Sequence, residues 1–574
     1  MDVRNWPGVQ TFAIYQRSWL RQDIIAGIVL TTLLVPQGMA YAELAGLPVI
    51  TGLYTTVLCL LGYALAGPSR VLVLGPDSSL GPMIAATILP IVGSGGDPAR
   101  AVGLAAMLAV ITGAVMILAG AAKLGFVADL LSKPTQIGYM NGLALTILVG
   151  QLPKLLGFSV QANGFIGEVA GLVQGITHGA VLPAAAAVGL LSLGIIVALG
   201  RWLPKVPGVL VAVVVAIGTA TIFNLAERGV SLVGVLPQGF PPPTLPALDN
   251  FPLLLAGALG IALVALTDTI STASAFAART GQEVHGNGEM IGIGVANVAA
   301  GLFQGFPVST SGSRTAVAEQ AGAKTQVTGL VGAMAIVLIL LFVPGLLRNL
   351  PQPTLAAVVI AASLSLADIP AARRLWRQRP VEFGIALAAF LGVTLLGVLQ
   401  GIAVAIVLSV LYVFRRAWWP YQTTLGRVPG LAGLHDRQLH RNAEVLPGLV
   451  VFRFDAPLFF ANARTFRDQL RRLAADQPRP RWIIIAAEPI TDVDTTAADM
   501  LRDLDAELNA HGTSLVFVEL KDPVRRKLER YELIGPLDPR HFFPTLDSAV
   551  TAFQDETGAQ WTAPSKPNSK GDPS

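Results

Sequence analysis

The sequence has one cysteine in 574 residues, Cys59, set inside an apolar run. That excludes an intrachain disulfide, a CxxC redox pair and a thiolate zinc cluster. Cys59 itself reads as a small buried side chain. Charge is also scarce. Charged residues make up 13%, against about 25% in soluble proteins, a gap too wide for several soluble domains. The six histidines are scattered, and no nucleophile–base pair or metal cluster gathers around them. No glycine-rich loop precedes a Lys-Ser/Thr pair, so neither ATP-driven pumping nor an enzyme is expected, and no cofactor is implied. Residues 1–23 mix Trp6, Tyr15, Arg17, Trp19 and Arg21 without the basic–apolar–cleavage order of a secretory signal, and read as a cytoplasmic lead-in.

What the chain does have is apolar length. Hydrophobic residues are 53% and mean hydropathy is +0.61. Glycine (59) and proline (39) are abundant, as in membrane helices, where they also mark breaks that line binding cavities. Composition changes near Arg415. Residues 24–416 read as a transmembrane domain, 417–444 as a linker, 445–555 as a small α/β domain and 556–574 as a disordered tail. The apolar part divides into fourteen candidate spans. They lie near 24–44, 48–66, 76–92, 101–122, 130–152, 179–199, 206–225, 251–279, 286–303, 311–322, 326–347, 352–367, 380–397 and 399–416.

Basic residues set the expected orientation. With the N-terminus inside, the inner loops hold Arg70, Lys123, Lys133, Arg201, Lys205, Arg279, Lys324, Arg373, Arg374, Arg377 and Arg379. The outer loops hold only Arg100, Lys154, Arg228 and Arg348. Basic loops stay in the cytoplasm, and an even span count puts both termini there, in a multi-pass plasma-membrane protein. The net charge of +4 and pI of about 9.2 then belong to those loops, not to a nucleic-acid surface.

The third and tenth spans are short, rich in small residues and broken by Gly or Pro. They hold the same place in each set of seven, the sequence pointer to a transporter's binding site. One opens with Gly75-Pro76-Asp77-Ser78-Ser79, the other with Pro307-Val308-Ser309-Thr310-Ser311-Gly312-Ser313-Arg314. Two helix N-termini meeting in mid-membrane offer free N–H groups to an anion, and the hydroxyls of Ser78, Ser311 and Ser313 add neutral donors. Arg314 is costly within a membrane, and so marks a substrate contact or an ion pair with Asp77 or Asp268. The carboxylates Glu43, Asp77, Asp268 and Glu289 are candidates for carrying a co-transported cation. Asp268 and Thr272, four apart, share a helix face and could hold Na⁺ or a proton. Glu289, beside His285 and Asn287, reads as a cap of the ninth span.

The stretch Pro36-Gln37-Gly38-Met39-Ala40-Tyr41-Ala42, then Leu47-Pro48 and Gly52-Leu53-Tyr54, resembles the signature of the SulP anion permeases. The resemblance covers nearly the whole chain, including the Gly75-Pro76 element, Asn297 and Pro307–Arg314. It implies a seven-plus-seven inverted repeat with a core and a gate domain, working as a homodimer, and an anion between the short third and tenth helices, beside the first. Carried over, it puts Gln37, Tyr41, Pro76, Asp77, Ser313 and Arg314 at the anion, and Asp268 at the coupling cation. Where the Na⁺-dependent relatives read Gly-Ala-Thr, this chain reads Thr310-Ser311-Gly312, which favours H⁺ over Na⁺. Asp77 replaces an apolar residue and is expected to be protonated or paired with Arg314.

Toward the C-terminus, strands at 447–454, 481–487 and 514–520 alternate with helices, an α/β pattern that resembles the STAS domain. There an Asp-Ser/Thr pair opens the second helix and can be phosphorylated, and Thr495 matches that position. The alternative is a plain N-cap by Asp494 or Thr495. The expected function is proton-coupled sulfate symport by alternating access. Bicarbonate or dicarboxylate transport, with Na⁺ coupling as a variant, is the alternative, and a passive anion channel the competing class.

Overall fold

The structure, a computed structural model, describes residues 7–93, 96–126, 131–160, 162, 164–203, 206–244, 246, 250–280 and 284–562, without the side chains of 11–13 and 278–280. Trp6, Lys205, the Arg279 side chain and the tail beyond 562 therefore lie outside the described residues. The chain divides into two compact units, Met1–Ser409 and Val410–Ser574.

The first unit is helical. Its first half runs α1 (Pro7–Ala13), α2 (Leu20–Leu44), α3 (Val49–Ala66), the two-residue strand β1 (Leu74–Gly75), α4 (Gly81–Val92), α5 (Pro98–Ala121), α6 (Lys133–Leu156), α7 (Gly164–Thr177), α8 (Pro183–Trp202) and α9 (Gly208–Ile222). The second half runs α10 (Phe251–Thr280), α11 (Gly286–Leu302), the strand β2 (Ser309–Thr310), α12 (Gly312–Gln320), α13 (Val327–Phe342), α14 (Gln352–Leu366), α15 (Ile369–Gln378), α16 (Pro380–Leu391) and α17 (Val398–Trp418), with a π turn at Gly392–Leu396 before α17. Each of the fourteen expected spans corresponds to one of these elements. Among the described residues, seven helices are long and apolar enough to cross a membrane, and four more apolar helices are shorter. No expected span corresponds to α7 or α15. The latter is amphipathic, burying only Ala371 and Leu375 among three arginines, so no apolar run announces it.

Helices from the two halves pack against each other. α2–α5 interleave with α10–α13 as a core bundle, and α6–α9 with α14–α16 as a gate bundle. α17 joins the gate bundle where Gly401 meets Val393. Small residues permit the closest crossings. A Cβ on Gly52 of α3 would lie 1.9 Å from Gly38 O of α2, so the Gln37-Gly38 and Gly52-Leu53 motifs mark one backbone contact. Helix starts carry their expected signals: Asp97 accepts from Ala99 N at 2.9 Å ahead of Pro98.

The N-terminal lead-in is tied down, and Asp23 does the tying. It is fully buried at the start of α2. Oδ1 accepts from Lys324 N (2.7 Å), Thr325 N (3.1 Å) and Thr328 Oγ1 (2.9 Å), and Oδ2 accepts from Thr325 Oγ1 (2.8 Å) and Tyr15 OH (3.2 Å). A span-start carboxylate thus locks the first half of the core to the loop before α13.

The second unit holds a six-stranded sheet in the order β4-β3-β5-β6-β7-β8. The strands are β3 (Gln422–Arg427), β4 (Leu434–Asp436), β5 (Leu449–Phe454), β6 (Trp482–Ala486), β7 (Ser514–Val518) and β8 (Phe542–Phe543). β5 to β8 are parallel, and β3 pairs antiparallel with both β4 and β5. Alternate side chains face opposite layers. Phe452, Ile483, Ile485 and Phe517 meet α18 (Ala463–Ala474), α19 (Thr495–Ala510) and α20 (Asp522–Arg530), and Ile484, Val516 and Val518 meet α21 (Leu546–Thr557). This corrects the linker reading of 417–444, since β3 and β4 lie within it. Their six and three residues are too short and too polar to stand out by alternation alone.

In α19, burial and the nearby Asp538 push the Asp505 carboxyl up to about 6, above its unfolded value of ~3.9. The folded domain then binds the proton more tightly, so stability falls as pH rises from ~4 to ~6. Asp505→Asn is therefore expected to stabilise this unit at pH 7.5, on the order of 2 kcal/mol, and to change little at pH 4. Hydrogen exchange of α19 amides in the full chain at both pH values reads the difference, and an equal effect at both sinks the assignment.

Candidate functional site

The two broken spans meet through their backbones. β1 and β2 pair antiparallel, with Leu74 opposite Thr310 and Gly75 opposite Ser309. Ser311 N donates to Val73 O at 3.2 Å, and Val73 N donates to Thr315 Oγ1 at 3.1 Å. Helix side chains satisfy the groups this short ladder leaves over, as a buried backbone demands. Asn297 of α11 accepts from Val308 N at 2.9 Å and donates to Val308 O at 3.2 Å, and Thr55 of α3 accepts from Phe306 N at 3.1 Å. Thr269 of α10 accepts from Thr310 Oγ1 at 3.1 Å. The ladder sets the starts of α4 and α12 against one cluster.

Arg314 is the centre of that cluster. It projects from the first turn of α12 and is 1% exposed. Nη1 donates to Pro76 O at 2.5 Å, and Nη2 lies 3.8 Å from Asp77 Oδ2. Nε and Nη2 have no hydrogen-bond partner among the described residues. Gly75 makes the room, because a Cβ there would sit 2.9 Å from Nη1. The guanidinium is thus held by one carbonyl, loosely balanced by one carboxylate, and keeps two buried donor nitrogens to spare.

The carboxylates are joined by a serine. Asp77 Oδ1 accepts from Ser79 N (3.0 Å) and lies 2.8 Å from Ser79 Oγ, and the same Oγ is 3.0 Å from Asp268 Oδ2 on α10. One hydroxyl has one hydrogen. Both contacts are hydrogen bonds only when one carboxyl brings a proton of its own.

The other candidates sort by place. Tyr41 of α2 is buried beside Ser78, within the fields of Asp77 and Arg314. Gln37, one turn earlier on the same face, is buried with an unpartnered Oε1. Ser311 and Ser313 exchange a 3.0 Å bond, and Gly312 and Ser313 are open. Thr272 lies beside that opening, with its Oγ1 3.9 Å from where a Gly312 Cβ would stand. Glu43 is not in the cluster. It forms an ion pair with Lys154 of α6 at 3.1 Å, toward the end of α2. Glu289 is not a cap either: His285 is the N-cap of α11, and Glu289 is buried, accepting from Tyr63 OH (2.6 Å) and from Ser69 Oγ. Ser79, which makes the bridge, is a residue the sequence reading quoted without singling out. In the second unit, Thr495 is exposed at the first position of α19, and Asp494 is the cap, accepting from Ala497 N at 2.8 Å.

A cavity of about 450 Å³ opens elsewhere, beside Arg70, Ala273, His285, Glu289 and Lys324. None of the candidate anion contacts lines it. The Asp77–Arg314 cluster, where two buried nitrogens of Arg314 lack partners among the described residues, lies outside that cavity's lining.

The chain matches the Sulfate permease family over residues 20–389 and the STAS domain over 440–549. A probable sulfate transporter of Mycobacterium tuberculosis (strain ATCC 25618 / H37Rv) is 41% identical over 560 residues, covering 96% of this chain and 99% of that one. Probable sulfate transporter 3.3 of Arabidopsis thaliana is 29% identical, covering 96% and 90%. Among solved structures, murine Solute Carrier 26 family member A9, an anion transporter in the inward-facing state, superposes with a TM-score of 0.87 at 23% identity, over 96% of this chain and 94% of that one. The transmembrane domain of a cyanobacterium bicarbonate transporter gives 0.59 at 23% identity, over 69% and 98%. With a helical unit of this fold, two broken spans meeting at a buried arginine and a STAS domain later in the sequence, the chain belongs to the sulfate permease family of membrane anion transporters.

Proposed function

We propose that this chain is a secondary-active transporter that carries sulfate together with a proton. The carrying observation is Arg314, a buried cation with two unpartnered donor nitrogens at the start of α12. Such a group wants an oxyanion, and its geometry suits one. The α4 and α12 starts, Ser78, Ser313, Gln37 and Tyr41 supply further neutral donors around it. Sulfate is favoured by the named activity of the 41%-identical relative.

Coupling follows from proton counting at Ser79. Without an added proton, the two carboxylates outweigh Arg314 by one negative charge, which repels an anion. One proton on the Asp77–Asp268 pair neutralises the cluster and completes the second Ser79 bond. Each ligand then favours the other, as linkage requires. Thr272, beside the opening, lines the proton's way in or out. The core bundle carries the loaded site past the gate bundle as a largely rigid body, giving alternating access. The chain works as a homodimer with both termini in the cytoplasm. The exposed Thr495 at a helix start supports a regulatory phosphorylation site, since the free N–H groups there would receive a phosphate.

Uptake of ³⁵S-sulfate into proteoliposomes tests this. With an inward proton gradient the wild type is expected to concentrate sulfate, and Asp268→Asn to fall to the level seen without a gradient. If bicarbonate or fumarate enters and sulfate does not, the site survives and the substrate assignment fails. If only a Na⁺ gradient drives accumulation, the proton assignment fails. Sulfate that never exceeds its external concentration under either gradient would indicate a passive channel.

A further inference from the structure

Helix α2 of the core bundle ends at Leu44, and α6 of the gate bundle ends at Leu156. Near these two ends an ion pair crosses between the bundles, with Lys154 Nζ donating to Glu43 Oε1 at 3.1 Å. Each partner is fixed within its own bundle. On the core side, a Cβ on Gly81 of α4 would lie 2.8 Å from Leu44 Cδ2, and one on Gly46 would lie 3.0 Å from Leu89 Cδ2 of α4. On the gate side, Leu155 is buried against Ala356, Ala357 and Ile360 of α14. A Cβ on Gly189 of α8 would lie 2.8 Å from Leu155 O. The pair therefore joins two helix ends that are anchored separately.

Local helix chemistry does not account for Glu43. It stands in the last turn of α2, where free carbonyls make a carboxylate unfavourable. That turn has no basic residue to offset it. Oε1 is held by Lys154, and Oε2 is buried without a hydrogen-bond partner among the described residues. Glu43 thus depends on a cation from the other bundle. Elsewhere α2 runs against α9 and α14, whose hydroxyls bond within the gate bundle. Thr354 meets Ser192 of α8 at 3.1 Å, and Ser363, Ser365, Thr219 and Thr221 donate to carbonyls of their own helices. Apolar contact has no direction and tolerates sliding, whereas an ion pair fixes one register. With side chains 37% and 18% exposed, this pair belongs to the part-exposed class, which contributes modestly and breaks readily.

We propose that Glu43 and Lys154 form a catch between the core and gate bundles, closed in this structure and opened once in every transport cycle. This rests on the alternating-access reading above and adds the contact that holds one face shut. In the orientation drawn from the basic loops, Lys154 lies outside, so the catch closes the outer face. Its weakness suits it to repeated opening, and its single register returns the bundles to one closed position.

Glu43→Cys combined with Lys154→Cys tests the movement. The native Cys59 is buried, and each single substitution controls for reaction there. In intact cells expressing the full chain, bridging the two cysteines with a short bis-methanethiosulfonate reagent is expected to cut ³⁵S-sulfate uptake by about tenfold or more, because a tethered gate blocks turnover. Dithiothreitol should restore it. Without any bridge, Lys154→Gln opens the outer face more often. Its KM for external sulfate is expected to fall, by up to about fivefold, the weight of one part-exposed pair. The charge swap Glu43→Lys with Lys154→Glu should bring KM back toward the wild-type value. If the bridged protein takes up sulfate at the unbridged rate, the two ends keep their spacing through the cycle, and the inference falls while the transport reading stands. A KM in Lys154→Gln that is unchanged or raised, with a lowered melting temperature, would make the pair structural only and would also overturn the inference. If the wild type carries neither sulfate, bicarbonate nor fumarate, both fall.

Discussion

Arg314→Gln is expected to cut anion uptake by roughly 10²–10⁴-fold in kcat/KM. The substitution removes a buried positive charge and the two donor nitrogens, Nε and Nη2, that lack partners in the empty protein. Each charge-assisted bond to a bound oxyanion is worth about 1.5–3 kcal/mol, so two lost bonds account for the range. Loss of the Nη1 bond to Pro76 O also loosens the α4 start, so part of the effect could come through the fold. Two controls separate these routes. Melting temperature reports the fold. Arg314→Lys keeps the charge but not the planar fork. Recovery in the lysine variant would assign the effect to the field of the charge, and continued loss would assign it to bidentate contact. Wild-type uptake in Arg314→Gln would remove the arginine from the site altogether.

Asp23→Ala is expected to be the most damaging single change to the helical unit. Five donors converge on this carboxylate, two of them backbone N–H groups of residues 324 and 325. Alanine leaves these groups without an acceptor, those of Thr325 and Thr328 in a buried setting. Each orphaned donor costs about 1–3 kcal/mol, and partial relaxation brings the total to ~3–5 kcal/mol. Size-exclusion profiles in detergent should show aggregation or a lowered melting temperature. Asp23→Asn keeps one acceptor oxygen but turns an NH₂ toward donors, so it should recover only part of the loss. A monodisperse Asp23→Ala protein melting with the wild type would show that the cluster contributes little.

Local features of the sequence carried much of this arrangement. The Gly-Pro and Ser-Gly breaks before α4 and α12 are visible because they interrupt apolar runs, and their matching ranks in the two halves made them a pair. Asp77 and Arg314 were legible as possible partners, since both are charges where charge is rare. Residues whose meaning depends on distant contacts were not. Glu43 looked like Asp268, a carboxylate at a span, until Lys154, 111 residues away, proved to be its neighbour. Asp23 read as the end of a tail because an acidic residue at a helix start is ordinary. Only the loop before α13 reveals why it is buried. β3 and β4 were lost for another reason, being strands that become strands only through pairing with β5.

The two-residue ladder between β1 and β2 has a further consequence. Four residues contributed by segments some 235 positions apart hold the starts of α4 and α12 in fixed register. Any displacement of one start must carry the other with it. Under the proposed function, the cluster is therefore expected to move as one frame that keeps its dimensions, not to be pulled open. Differences in turnover among variants should then trace to the surface along which that frame slides, and differences in selectivity to the frame itself.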